Sequence, residues 1–386
     1  MTAMTPRERV LAAVAHEEPD RVPIILGTNM NTSLVHQAYD PLKALLGVEA
    51  ETEFLYFEAL GTVHLDEAIL QRLGSDARGL QDRLPRHIRD RDAATPKAKI
   101  HFDDWQVGRE EVEPGDYFPL VHPLREATSL AALETFDWPD MADPSRLDGL
   151  AARAQALAEE GQYAIFGTPL LKYPLEQACQ LRGMDVFMMD LVTNEDFTHA
   201  LLRKLVELFK TFFEQYLAAV GPYLDVLCLG DDLGTQSGLL ISPQTYRRML
   251  KPYHVELMDF VRERTDAYIY FHSDGDVEQL IDDLVEIGVD ILNPVQTSAG
   301  RMSDLGRLKR RYGDNICFCG AIDTHRVLPF GTPAEVRAEV RRVISLLGPG
   351  GGYLLSSVHA IQKDVPPENI LAMCDAAREF GQYPLT

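Results

Sequence analysis

One pattern limits the architecture of this 386-residue chain more than any other: short apolar runs, each followed by a polar or glycine-containing break and then by helical periodicity. The runs are VPIIL (22–26), YAIFG (163–167), VLCLG (226–230), YIYFH (268–272), DILNPV (290–295), ICFCG (316–320) and GYLLSS (352–357). Continuous apolar runs of this kind suit parallel strands covered on both faces. The intervening helices carry start signals. Thr5, Pro6 and Glu8 form a capping box with proline at the first helical position, Thr332, Pro333 and Glu335 repeat the device, and Ser242 with Pro243 opens a third helix. Strand, loop and helix, repeated at least six times, predict an α/β fold that is either a doubly wound sheet or a (β/α)8 barrel.

Residues 76 to about 145 break this rhythm. DWQVGREEVEPGDYFPLVHPL alternates as a β-hairpin does, and the proline-rich TFDWPDMADP follows it. We read the segment as an excursion from a single domain over 1–386. No GxGxxG or GxxxxGK[ST] string follows any predicted strand, which removes the sequence support for a dinucleotide or P-loop site. The glycine run GPGGG (348–352) precedes a strand instead of a helix and reads as a tight turn.

Charge and cysteine usage exclude several functions. Lys and Arg number 37 against 59 Asp and Glu, a formal charge of −22, so the mean field repels nucleic acid and anionic lipid alike. The N-terminal stretch has charges where a signal peptide needs an apolar core, and no run reaches the roughly 18 apolar residues of a membrane span. Five sparse cysteines suit a reducing compartment, so a cytoplasmic location is expected.

In barrels the chemistry collects where strands give way to loops, and here those positions are polar. After VLCLG come Asp231, Asp232 and Gln236; YIYFH supplies His272 and leads to Asp274; DILNPV brings Asn293 and Gln296; ICFCG brings Cys319; GYLLSS leads to His359. Side chains at i and i+2 of an extended segment share a side, so His272 and Asp274 can converge. Such a pair suits a metal or acid–base chemistry. Zn²⁺ accepts imidazole, carboxylate and thiolate, and a catalytic site uses three protein ligands; His272, Asp274 and His359, with Cys319 in reserve, supply that set. His254 and His325 read as hydrogen-bonded or exposed imidazoles, and Cys317 with Cys319 also reads as a pair of small core residues. Asp231 and Asp232 read equally as a general acid and base or as caps of the following turn.

Several long strings carry a family resemblance: MTPRERVLAAVAHEEPDRVP, GDDLGTQSGLLISPQTYRRMLKPYH, FHSDGDVEQLIDDLVEIGVDILNPVQ, GAIDTHRVLPFGTPAEVRAEV and GGYLLSSVHAIQKDVPPENI. Together they resemble the uroporphyrinogen decarboxylase superfamily over most of the chain, which implies a (β/α)8 TIM barrel. Two chemistries occur in that superfamily. The decarboxylases carry an arginine-rich RQAGR stretch after the first strand; here VPIILGTNMNTSLVHQAY has no arginine after Arg21, so clamps for a polycarboxylated porphyrinogen are missing. The other branch holds zinc-dependent methyltransferases that exchange methyl groups with cobalamin carried on a corrinoid protein. Its thiol-methylating members show His-x-Cys-Gly and a later cysteine, where this chain has Asp274 in His-Ser-Asp-Gly and His359 in SSVHAIQ. Fewer thiolates leave a zinc ion more Lewis acidic.

The resemblance therefore implies demethylation of a small O- or N-methylated substrate, with cobalamin on a partner corrinoid protein as acceptor. His272, Asp274 and His359 are assigned to the metal, Asp231 or Asp232 to proton transfer, Asp232 and Gln236 to substrate polarisation, and Gln296 and Asn293 to substrate orientation. Residues 28–66, including Asn29, Asn31, His36 and Tyr56, are expected to form much of the pocket wall. A homodimer accords with the family. The competing readings are a metal-free decarboxylase or lyase in which Asp231 holds a developing cation, and a barrel that only binds; zinc at the mouth discriminates against the decarboxylase, and formation of methylcobalamin separates all three.

Overall fold

The computed structural model describes residues 4–55, 61–95, 98–113, 116–171 and 173–385. Seven parallel strands form one curled sheet: β1 (Ala77–Leu80), β2 (Ala164–Gly167), β3 (Val226–Gly230), β4 (Tyr268–His272), β5 (Ile291–Asn293), β6 (Cys317–Ile322) and β7 (Tyr353–Ser357). They pair in chain order, each with the next. Residues 22–26 close the barrel between β7 and β1: Ile25 N donates to the Leu355 carbonyl at 2.8 Å, Leu355 N to Pro23 O at 2.9 Å, and Asp76 N to Ile24 O at 2.8 Å. The architecture is the expected TIM barrel.

β1 corrects the sequence reading, because it lies inside the segment taken as an excursion from residue 76. Its sequence, ARGL, hides it. Arg78 is buried, pairs with Glu67 at 2.7 Å and lies over the Tyr163 ring at 3.4 Å. Gly79 lets the closing segment approach, since a Cβ there would sit 1.9 Å from the Thr28 carbonyl oxygen. After β1 the excursion contributes a three-stranded antiparallel sheet of Ile100–Phe102, Gly108–Glu113 and Asp116–Val121.

The barrel interior is filled by side chains. Ile25, Ala77, Phe166, Val226, Cys228, Tyr270, Cys317, Cys319 and Leu354 pack with Val10, Ala13 and Val14 of the helix Pro6–Val14, which plugs the N-terminal end of the sheet. That helix begins at the predicted capping box, with both Thr5 and Glu8 in place. Outside, the helix Glu195–Val220 buries Phe209, Phe212, Phe213 and Tyr216 against the wall. Among the described residues no helix is long and apolar enough to cross a membrane.

Beneath the plug, Asp76 gathers the closing elements. Its Oδ1 accepts from Arg9 Nη1 at 2.5 Å and Arg21 Nη2 at 2.8 Å, and its Oδ2 from Arg21 Nη1 and Ile24 N, both at 2.8 Å. Asp76→Ala removes the carboxylate partner of Arg21 and one of the two carboxylates that hold Arg9, and we expect it to cost about 3–5 kcal/mol, read as a fall in the urea midpoint with little change in slope.

Candidate active site

Strand β4 sets the register of the site. His272 lies opposite Gly230 of β3 and Asn293 of β5. Beyond it the chain stays extended: Ser273 turns inward, where its Oγ accepts from Leu233 N at 2.9 Å, while its N–H donates to Asn293 O at 2.7 Å. His272 and Asp274 thereby share the mouth side, as period-two alternation requires. Gly275 follows with φ +86°, and a Cβ there would lie 2.4 Å from Thr235 N, so only glycine lets the loop leave at that point.

The structure brings His272, Asp274 and His359 together, one donor atom of each lying within 4.8 Å of the others. Asp274 Oδ2 is 3.8 Å from His272 Nε2 and 3.9 Å from His359 Nε2, and the two imidazole centroids are 5.7 Å apart. Asn293 Oδ1 accepts from His272 Nδ1 at 2.7 Å, and the Asn293 Nδ2 donates to Cys319 O. That amide orientation places the His272 proton on Nδ1 and turns the Nε2 lone pair toward the carboxylate. Asp274 Oδ1 is shielded from solvent and has no hydrogen-bond partner. Two imidazole nitrogens and a carboxylate with one unsatisfied oxygen are what a divalent cation with an open coordination position needs. Separations of 3.8 and 3.9 Å are a few tenths of an ångström wider than the roughly 3.4 Å between donors of a tetrahedral zinc ion.

A cavity of about 370 Å³ opens beside this cluster, reached by His272, His359 and Asp232. Asp232 Oδ1 lies 3.9 Å from His272 Nε2 and accepts from Asp274 N at 2.9 Å. Asn29 and Asn31 are on the wall, with Asn29 Oδ1 held by the N–H groups of Asn31 and Thr32. His36 stacks edge-on against Phe54. Tyr56 lies outside the described residues. Trp105 and Arg109 from the excursion, with Thr168, Tyr173 and Tyr270 from the barrel, complete walls that the sequence reading did not assign. Tyr270 carried a signal: it stands two residues before His272 in YIYFH and so shares its face.

Five of the expected site residues, Asp231, Cys319, Asn293, Gln236 and Gln296, are not on the wall of the main cavity. Asp231 is not at the mouth: its carboxylate caps the helix Pro174–Arg182 by accepting from Leu175 N and Glu176 N, both at 2.8 Å, and it accepts from His254 Nε2 at 3.0 Å. Burial raises its pKa against those bonds. Cys319 is fully buried in the barrel interior, burial pushes its thiol up to about 12, and among the described residues it is not in the donor cluster. Asn293 is fully buried behind His272 and Gln296 accepts from Gly275 N at 2.7 Å; both hold the loop rather than line the main cavity. Gln236 and Gln296 line a second hollow of about 440 Å³ that shares Asp274 and His359.

Just past β1, Asp82 is 2% exposed; its Oδ1 accepts from Leu170 N at 2.6 Å and its Oδ2 has no partner. It thus anchors the loop that carries Leu170 and Leu171 on the cavity wall. Burial raises its pKa from 3.8 to about 7. The folded state therefore keeps a proton that the unfolded chain releases, so its contribution is full below 3.8 and is lost as pH rises to about 7. Asp82→Asn, which keeps the acceptor for Leu170, removes this loss. Its unfolding free energy relative to the unsubstituted protein should climb across that window and level off above it in urea titrations at stepped pH.

Comparison with known proteins follows the same lines. The chain is 28% identical to the uroporphyrinogen decarboxylase of Methylococcus capsulatus over 184 residues and 30% identical to that of Legionella pneumophila over 197 residues. These matches cover 47% and 50% of this chain and 49% and 51% of the relatives, so the chain spans about half the length of the curated relatives it matches. A structure described as a methyltransferase from Methanosarcina mazei shares the fold, with a TM-score of 0.65 at 18% identity over 98% of this chain and 99% of that one. The sequence model of the family described as uroporphyrinogen decarboxylase (URO-D) matches residues 93–380, most of the chain, and the chain belongs to that family.

Proposed function

We propose that this URO-D family member is a methyltransferase that demethylates a small O- or N-methylated substrate and passes the methyl group to cobalamin on a partner corrinoid protein. The observation that carries the reading is the cluster of His272, Asp274 and His359 donors at the mouth of a 370 Å³ cavity. The segment after residue 26 supports it by supplying no arginine clamp, and the methyltransferase from Methanosarcina mazei provides a fold precedent.

Breaking a methyl–oxygen or methyl–nitrogen bond leaves the electron pair on the heteroatom, while the acceptor supplies the pair for the new bond to carbon. Zn²⁺ held by His272, Asp274 and His359 would supply the Lewis acid that neutralises charge on the departing atom. Asn293 fixes the His272 tautomer and ring, so the imidazole needs no reorganisation. Asp232, at the cavity and 3.9 Å from His272 Nε2, is placed to exchange a proton with the departing group. Leu170, Leu171 and Trp105 keep water from the substrate body. The second hollow, which Asp274 and His359 also line, offers the acceptor an approach to the same donors.

The test is anaerobic incubation with methoxylated aromatics or methylamines and reduced cobalamin, read by the visible spectrum of methylcobalamin. Asp274→Ala and His359→Ala should each lower bound zinc and cut the rate by about 100-fold or more. Asn293→Ala should retain zinc with about 10- to 100-fold weaker affinity. Methyl transfer that persists in full after zinc is removed would overturn the role given to the metal, and carbon dioxide release from a carboxylated compound by the metal-free protein, with no methylcobalamin formed, would turn the assignment toward a lyase.

A further inference from the structure

The main cavity carries a second polar feature besides the donor cluster. The hydroxyl oxygens of Thr168, Tyr173 and Tyr270 are all shielded from solvent and have no hydrogen-bond partner, and all three residues line the cavity. They are 3%, 3% and 1% exposed. Tyr270 has the Asn29 side chain beside its hydroxyl without a well-aligned bond to it. Tyr173 and Tyr270 flank Cys228 of β3, whose thiol adds to the burial that raises both phenols. Three buried hydroxyls left unpaired on one cavity are costly, at about 1–3 kcal/mol each, unless a ligand completes them.

The surrounding charge narrows what that ligand is. The Asp231 carboxylate lies near Tyr173 and raises its phenol further, and the whole chain carries −22. Among the described residues of this wall, Arg109 is bound to Asp103 at 2.7 Å, and Lys363 stands at the exposed rim. An anionic group here would meet hydroxyl dipoles but also negative charge, so its desolvation would be poorly compensated. A neutral group that donates and accepts meets three hydroxyls able to do both.

We propose that Thr168, Tyr173 and Tyr270 form a recognition subsite for a neutral hydroxyl or carbonyl group on the substrate, at the end opposite the methyl group. This rests on the demethylase reading for the position of the methyl group, and it makes the substrate class methoxylated phenols or alcohols bearing a second neutral polar substituent. Methoxybenzoate-type anions and purely apolar ethers are discriminated against. Buried hydroxyls that lose their partner account for the second exclusion, as in any site built to bind a substrate hydroxyl.

Calorimetric titration of the zinc-loaded protein with 4-methoxyphenol, 4-methoxytoluene and 4-methoxybenzoate tests this, because the three differ only at the distal group. 4-Methoxyphenol should bind about 10- to 100-fold more tightly than either of the others. Tyr173→Phe and Thr168→Val should each erode that preference, and the double variant should bring the phenol to toluene ratio near one while keeping the affinity for 4-methoxytoluene. Retained 4-methoxytoluene binding also shows that the variants are folded; if Tyr173→Phe does not fold, Tyr270→Phe replaces it. Equal binding of phenol and toluene by the unsubstituted protein, tightest binding of the benzoate, or no binding of any of them overturns the proposal. Titration needs no acceptor, so an intact binding order without any methyl transfer would sink the demethylase reading and leave the subsite standing.

Discussion

The barrel closes on one carboxylate. Asp76 accepts four hydrogen bonds, from the plug helix through Arg9, from the closing segment through Arg21 and from Ile24 N, while its own N–H extends the sheet to Ile24. Burying such a cluster costs desolvation, and only full satisfaction of every lone pair offsets it. What the cluster fixes is register. With residues 22–26 held against β7 and β1, the loop that follows is pressed onto Gly79, and Asn29 reaches the cavity from there. The shape of the catalytic end is thus tied to an ionic contact at the opposite end of the barrel.

Much of the candidate site was legible because it sits where two simple rules coincide. Parallel strands read as apolar runs, and barrel chemistry follows their C-terminal ends. YIYFHSDG satisfies both, and the two-residue period then places His272 and Asp274 together. The same period explains the misreading of Asp231. Adjacent residues on extended backbone point opposite ways, so Asp231 and Asp232 cannot both face the mouth. Asp232 lines the cavity, and Asp231 turns outward to cap a helix. β1 was not legible for a different reason: its composition is set by tertiary partners that no local pattern announces. Arg78 is satisfied by Glu67 and Tyr163, and Gly79 is required by Thr28.

The donor cluster differs from a packed-core cluster in what surrounds it. Cys317 and Cys319 lie in the barrel interior, where burial holds the thiols protonated, Cys319 up to about 12, and a protonated thiol is no metal ligand. His272, Asp274 and His359 stand one layer higher, partly open to solvent at 14%, 35% and 41% side-chain exposure. Ions and substrates can reach them there. The boundary between packed thiols and open donors in this barrel is therefore a matter of depth along the same strands.

Chemistry and selection come from different parts of the chain. The donors and Asp232 all follow barrel strands, whereas Trp105, Arg109 and Pro119 on the cavity wall come from the excursion. Trp105 packs edge-on against Phe209 of the long outer helix, with centroids 6.0 Å apart, and Asp103 ties Trp105 N, Val107 N and Arg109 into one turn. The wall is thus mounted on the barrel through contacts other than those that hold His272. Changes in the excursion can reshape the space offered to a substrate while the geometry of His272, Asp274 and His359, fixed by β4, β5 and the end of β7, stays as it is.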